Sequence, residues 1–432
     1  MNVLALNDEL VDGGAAQLFR RTNEILRRAG HEVLEVTGAM RARRGRPMGA
    51  PAPEDDGGAL AAQGSRPGRR GLIEALRQEI RANVRQVYDP QLIGTLTELL
   101  DQRVIDVAHV HNLHGRLSTQ VLPFLKRRGI PMVYQVNDYF FFCNTYMAYN
   151  RRLDQPCKRC IRGNLLWAVR YGCVNNLGES RFDRALLQAV KRLALLVARP
   201  WKAVDLFLVT SEQAAGLLDE WGVGPQRRLK IFNPMVSGEC DVPTPMGDEV
   251  VFYGTCLPNK GTETFLAALE HVDASCPIGV YLTGMSADYA ARLRAVAERR
   301  GFPLQVDSTL RWHHGLKERV ASARAVVVPS QWWVTSENVV LEASLLGKPV
   351  IVSRIGGNME LVDHGQTGFV FEPRNAGELA GYINRLAADR DLARRMGAQA
   401  SRRLRTRFTE ATFVQQLEAA YRRAMTMAGH TG

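Results

Sequence analysis

The chain has 432 residues, of which 46% are hydrophobic and 23% charged. That balance excludes a disordered polypeptide, and a chain this long with seven cysteines is no disulfide scaffold. The formal net charge of +12 favours anionic partners such as nucleotides, phosphorylated lipids or an anionic membrane, or reflects no more than an arginine-rich composition. Nucleic acid is set aside, because the aromatic-basic interleaving of a single-strand platform is missing. At about 100–200 residues per domain, two domains are expected. The apolar run Leu193 to Ala198 is far short of the roughly 20 residues of a membrane span. Asn7, Asp8 and Glu9 follow a short apolar start with no basic flank, so no signal peptide is expected and the reading is cytoplasmic.

The chain opens as strand, glycine turn, helix, strand. Val3 to Leu6 is apolar, Gly13 and Gly14 make the turn, Ala15 to Arg28 has helical spacing, Gly30 ends it, and Val33 to Val36 is the next strand. Such a βαβ unit predicts a parallel sheet with helices on both faces. Residues 40–71, rich in Arg, Pro and Gly, read as a basic loop. In 72–88, Leu72, Leu76, Ile80 and Val84 recur every four residues beside Arg77, Arg81 and Arg85. This is either an ordinary surface helix or an arm for a membrane or an acidic acceptor.

Strands are predicted at Val107 to His111, Pro131 to Val136, Leu206 to Thr210 and Lys230 to Phe232. A hinge follows over Asn233 to Asp248. A second α/β unit has strands at Val250 to Tyr253, Ile278 to Thr283, Ala325 to Pro329 and Pro349 to Ser353, and a helix from Phe408 to Met425 closes the chain. Ligands of such open sheets sit beyond the carboxyl ends of the strands.

The second unit carries the densest chemistry. Gly254, Thr255 and then Lys260-Gly261 lie between a strand and a helix, where a lysine pairs with phosphate and the helix start adds N–H donors, or where it is a plain surface lysine. A strand ends at Pro329-Ser330, and a loop leads through Val334, Ser336, Glu337, Asn338 and Val339 to a helix carrying Glu342, a carboxylate suited to ribose hydroxyls.

These motifs, with Gly13-Gly14, Gly30-His31-Glu32-Val33, His109-Val-His111-Asn112 and Asn233-Pro234, resemble family 4 of the retaining GT-B glycosyltransferases over nearly the whole chain. The resemblance implies an α/β fold of two Rossmann-like doubly wound domains facing across a cleft. The acceptor domain would span 1–235, with the 40–71 loop and a cysteine insertion at 143–173. The donor domain would span 248–405, and a helix in 406–432 would cross back. It implies a UDP- or GDP-type nucleotide sugar as donor and a glycan, lipid-linked or small-molecule acceptor, in polysaccharide, glycolipid or secondary-metabolite assembly. No catalytic metal is implied. Gly13, Gly14, Gly254, Thr255, Lys260, Ser336, Glu337, Asn338, Val339 and Glu342 would bind the donor, with Lys260, Asn137 and Asp138 at the chemistry.

Three positions depart from the family pattern. Val334 stands where the first glutamate of the family's E-x7-E falls, with Glu337 nearby as a substitute. Thr255 stands for the phosphate arginine, and Asn137 for the histidine of a His-Asp pair. They motivate an alternative, a catalytically silent GT-B binding or partner subunit.

Cys157 and Cys160 form a Cys-x2-Cys pair flanked by Cys143 and Cys173. Four such thiols suit a structural zinc or remain free. His109, His111 and His114 read as strand residues near the cleft rather than metal ligands. His313-His314 reads as loop, and Trp332 and Trp333 as one core and one sugar-facing ring.

Overall fold

The computed structural model describes residues 1–8, 14–38, 84–113, 117–163, 166–171, 173, 190, 192–235 and 244–429. Two parallel six-stranded sheets organise them. The first runs β2(Glu32–Thr37)-β1(Asn2–Asn7)-β3(Val107–Val110)-β4(Met132–Gln135)-β7(Leu206–Val209)-β8(Arg228–Lys230). A short hairpin, β5(Tyr149–Asn150) and β6(Gln155–Pro156), stands apart from it. The second runs β11(Leu304–Asp307)-β10(Ile278–Thr283)-β9(Val250–Thr255)-β12(Ala325–Val328)-β13(Val350–Ser353)-β14(Gly368–Phe371).

The central strands are short and apolar on both faces because helices cover both sides of each sheet. Those helices start where the sequence supplies caps. Asp89 accepts from the Leu92 N–H ahead of Pro90–Leu100, and Ser211 from the Ala214 N–H ahead of Glu212–Trp221. In each sheet the strand order reverses once, between β1 and β3 and between β9 and β12. A ligand crevice is expected outside the carboxyl ends of the strands at such a point.

The last helix, Glu410–Met427, returns to the first sheet. It buries Phe413, Leu417, Ala420 and Tyr421 in one cluster with Val133, Leu206 and Leu208. Where the chain crosses between the halves, the Phe232 and Phe408 rings meet edge to face at 4.3 Å and Arg407 lies over Phe232 at 4.7 Å.

Several expectations shift. The strand expected at Lys230 to Phe232 lies at Arg228–Lys230, because pairing with β7 stops at Lys230 and Phe232 packs at the crossing instead. Two strands of the six-stranded sheets carried no readable signal. β11 is a half-exposed edge without an apolar run. β14 begins at Gly368, where a side chain would strike the Val350 carbonyl 2.1 Å away. The 40–71 loop lies outside the described residues, as does the 72–88 helix up to residue 83. From there, residues 84–87 are helical, and Val84 and Tyr88 are exposed. No helix among the described residues is long and apolar enough to cross a membrane.

Candidate functional site

A cavity of about 380 Å³ lies between the two sheets, within the usual range of about 300–1,000 Å³ for small-molecule sites. Gly14, Gln17, Leu18, Arg20 and Asn137 wall it from the first half. Gly254, Thr255, Lys260, Ser330, Val334 and Ser336 to Val339, with Glu342, wall it from the second. The groups of the second half sit at or beyond the carboxyl ends of β9 and β12, at the order reversal of the second sheet.

Lys260 ends a tight turn, Pro258–Lys260, after β9. The next residue has φ +78°, and a side chain there would lie 1.7 Å from the Pro329 carbonyl, so only glycine lets this turn rest on the end of β12. That contact brings Lys260 to Glu337. The ammonium lies 2.5 Å from Glu337 Oε1, Ser330 Oγ donates to the same oxygen at 2.7 Å, and Asn358 Nδ2 donates to Oε2 at 3.2 Å. Burial pushes the Glu337 carboxyl up, but the Lys260 charge and the hydrogen bonds from Lys260, Ser330 and Asn358 outweigh it, and the group sits below its ordinary value. The Lys260 ammonium also stands over the Trp332 ring at 5.5 Å.

The helix Asn338–Leu345 points its first turn at the cleft. Asn338 ties the halves together: its side chain donates to the Gly14 carbonyl at 3.2 Å and accepts from Asn233 Nδ2 at 3.3 Å. One turn on, Glu342 is buried. Arg21 Nη2 donates to its Oε1 at 3.0 Å and the Tyr253 hydroxyl to its Oε2 at 3.2 Å.

Ten of the expected residues thus meet in one cleft: Gly14, Asn137, Gly254, Thr255, Lys260, Ser336, Glu337, Asn338, Val339 and Glu342. Gly13 lies outside the described residues. Asp138 is not on the wall; its carboxylate accepts from the Phe140 N–H at 2.9 Å and shapes the turn after β4. Val334 is buried, with its carbonyl bonded to the Gly357 N–H at 2.8 Å.

Of the two indoles, Trp332 lines the cleft while belonging to the first core, and Trp333 packs against that core off the cleft wall, its carbonyl accepting from the Tyr139 hydroxyl at 2.6 Å. The loop holding Arg311, Trp312, His313 and His314 forms a cleft wall that sequence reasoning missed, as it missed Arg21 and Tyr253. The His313-His314 doublet was the available signal. The indole N–H groups of Trp312 and Trp332 are buried and meet no acceptor among the described residues.

His109 and His111 do not reach the cleft. Their rings stack at 4.3 Å in the core, and His109 Nδ1 lies 2.9 Å from the Tyr421 hydroxyl. Burial lowers His109 to about 3 and His111 well below its ordinary value, so both stay neutral. His114 lies outside the described residues.

The cysteine segment stands apart from the cleft. Burial pushes Cys160 up to about 11 and Cys173 up to about 12, and the neighbouring thiols push the same way. The four sulfurs therefore share one neighbourhood. As they stand, no three His, Cys, Asp or Glu side chains among the described residues converge on a metal position.

The cleft can therefore seat an anion between Lys260 and a helix start, with carboxylate, amide and aromatic groups around it. A family model described as "Glycosyl transferase 4-like domain" matches residues 13–233, and one described as "Glycosyl transferases group 1" matches 244–403. A GDP-mannose-dependent alpha-(1-6)-phosphatidylinositol monomannoside mannosyltransferase of Mycobacterium tuberculosis is 30% identical over 156 residues, 34% of this chain and 40% of that protein. The chain thus spans less than half the length of the curated relatives it first matches. The structure of sucrose-phosphate synthase from Thermosynechococcus elongatus covers 99% of this chain and 100% of its own, at 19% identity and a TM-score of 0.61. HepE of Anabaena, solved with UDP-glucose, covers 97% and 99%, at 17% identity and a TM-score of 0.55. These likenesses carry the fold, which is GT-B.

Proposed function

The chain belongs to the glycosyl transferase 4-like family, and from that premise we propose that it transfers a sugar from a nucleoside-diphosphate sugar to an acceptor with retention at the anomeric carbon. The observation that carries the reading is Lys260, held on the cleft wall beside the first turn of Asn338–Leu345. The diphosphate would lie against that ammonium and those amides, Glu342 would face the ribose, and Gly14 would close on the phosphates from the first half. As the anomeric carbon–oxygen bond to the diphosphate breaks, negative charge grows on the leaving oxygen, where Lys260 stabilises it. The acceptor oxygen forms its bond on the same face, and its proton passes to the departing phosphate side. Asn137 would orient the sugar from the first half, and Asp138 would act there by shaping the loop that carries Asn137.

UDP and GDP are the proposed nucleotides of the donor. HepE was solved with UDP-glucose, and the mycobacterial relative is named GDP-mannose-dependent. The proposed acceptor is a glycan, a lipid-linked sugar or a small molecule, in surface polysaccharide, glycolipid or secondary-metabolite assembly. The setting proposed is cytoplasmic, with the basic 72–88 segment against an anionic membrane face; failure to float with anionic vesicles removes that part. For Cys143, Cys157, Cys160 and Cys173 the proposal is a structural zinc whose binding draws the thiols together. Near-stoichiometric zinc in protein purified without added metal supports it, and a small fraction of an equivalent removes it.

The test of the reaction is the anomeric configuration of the product, followed by NMR from a donor of known configuration. An inverted product overturns the reading.

A further inference from the structure

The loop before Asn338–Leu345 carries one carboxylate, Glu337, that the arrangement does not offer to a sugar. It is 5% exposed. Its Oε1 takes Lys260 and Ser330 and its Oε2 takes Asn358, so three of about four acceptor positions are filled by the protein. Its backbone is equally fixed: the Glu337 N–H donates to Asn358 Oδ1 at 3.3 Å, so Asn358 grips both ends of the residue. A negative charge just ahead of a helix start is also favourable there.

Lysine is a flexible four-carbon stem with a point charge, and it does not choose one geometry unaided. Here the ammonium is fixed from two sides, by Glu337 Oε1 at 2.5 Å and by the Trp332 ring at 5.5 Å, while its side chain keeps 28% exposure towards the cleft.

We propose that Glu337 is a positioning residue for the transfer. Through its bond to Lys260 it holds the ammonium where charge develops on the leaving diphosphate, and it binds no sugar hydroxyl. The proposal rests on the reading of the preceding subsection and deepens it. Pre-set charge acts chiefly on the transition state, so loss of the anchor lowers turnover more than ground-state binding. Glu337 stays ionised at neutral pH, since its carboxyl lies below the ordinary range.

The experiment compares the parent, Glu337→Gln and Lys260→Ala. It reads kcat and KM for donor hydrolysis, and Kd for the nucleoside diphosphate and for the bare nucleoside. Glu337→Gln keeps the shape and loses the charge. Its kcat is expected to fall about tenfold or more, while both Kd values stay within about threefold of the parent. Lys260→Ala is expected to weaken the diphosphate but not the nucleoside. A Glu337→Gln kcat within about twofold of the parent overturns the proposal. So does a parallel loss of kcat, both affinities and Tm, which marks a merely structural residue. If Glu337→Gln does not fold, Ser330→Ala removes one bond to the same oxygen. A smaller kcat loss with nucleoside affinity retained supports the proposal, and an unchanged kcat overturns it. A parent that binds and hydrolyses no nucleotide sugar sinks the preceding reading, and this one with it.

Discussion

Arg21 and Glu342 form a buried ion pair across the cleft, with Nη2 and Oε1 3.0 Å apart and side chains 6% and 5% exposed. The arginine comes from the first helix of the first half and the carboxylate from the donor-side helix of the second. The group that faces the ribose in the proposed function is therefore also a strut between the two halves.

Breaking such a pair from one side leaves an uncompensated buried charge, at about 3–5 kcal/mol, whereas replacing both partners with apolar groups costs far less. Arg21→Met is expected to lower Tm more than the double variant Arg21→Met/Glu342→Leu. The double variant keeps the fold but loses nucleoside affinity. Thermal unfolding of both, with nucleoside titration of the double variant, checks this.

Lys260→Ala affects more than turnover. The structure makes Lys260 the charge partner of buried Glu337. The variant is expected to lose about 100-fold or more in kcat and about 1–3 kcal/mol in stability. The stability part depends on pH. In the parent the folded Glu337 carboxyl lies below its ordinary value of 4.5, so its contribution is present above that value and is lost as pH falls through the lower folded one. The stability gap between parent and Lys260→Ala should therefore narrow in acid. Unfolding curves at pH 7 and below pH 4 check it.

The part of this site that was legible in the sequence was contiguous. Lys260-Gly261, the Ser336 to Val339 loop and Glu342 each announce themselves within a strand-loop-helix segment, and most of the strands announce themselves by apolar runs. What was not legible is contact between distant segments. Nothing near Glu342 points to Arg21, 321 positions away, or to Tyr253. Glu337 read as a stand-in for a missing sugar ligand, since its occupation by Ser330, Asn358 and Lys260 exists only once β9, β12 and the Gly356–Glu360 turn meet. The His109-x-His111 pair read as near the cleft because alternation gives a face and not an address. The helix Glu410–Met427, from the far end of the chain, covers that face.

Gly261→Ala tests the turn that presents Lys260. The positive φ and the Pro329 carbonyl at 1.7 Å leave no room for a methyl group, so the turn must move off β12. A cost of about 2–4 kcal/mol is expected, with diphosphate affinity falling as for Lys260→Ala. Calorimetry of unfolding and of nucleotide binding reads both.

The stacked histidines predict sensitivity to mild acid. Burial lowers the folded value of His109 to about 3, so the unfolded chain takes up its proton first as pH falls below about 6.5, and stability is lost with it. At pH 5.5 one such histidine costs about 1.4 kcal/mol. His111→Phe is expected to flatten the fall in stability between pH 6.5 and 5, as measured by denaturant unfolding across that range.

The central claim is that the cleft around Lys260 takes a nucleoside-diphosphate sugar. The most direct measurement is nucleoside diphosphate release from UDP-, GDP-, TDP- and ADP-sugars, with the thermal shift for each. The account predicts release from one of them. The same donor should raise stability by about 2.7 kcal/mol at 100 times its dissociation constant, and Lys260→Ala should cut release about 100-fold or more and reduce the shift at the same donor concentration. No release and no shift with any of the four contradicts it.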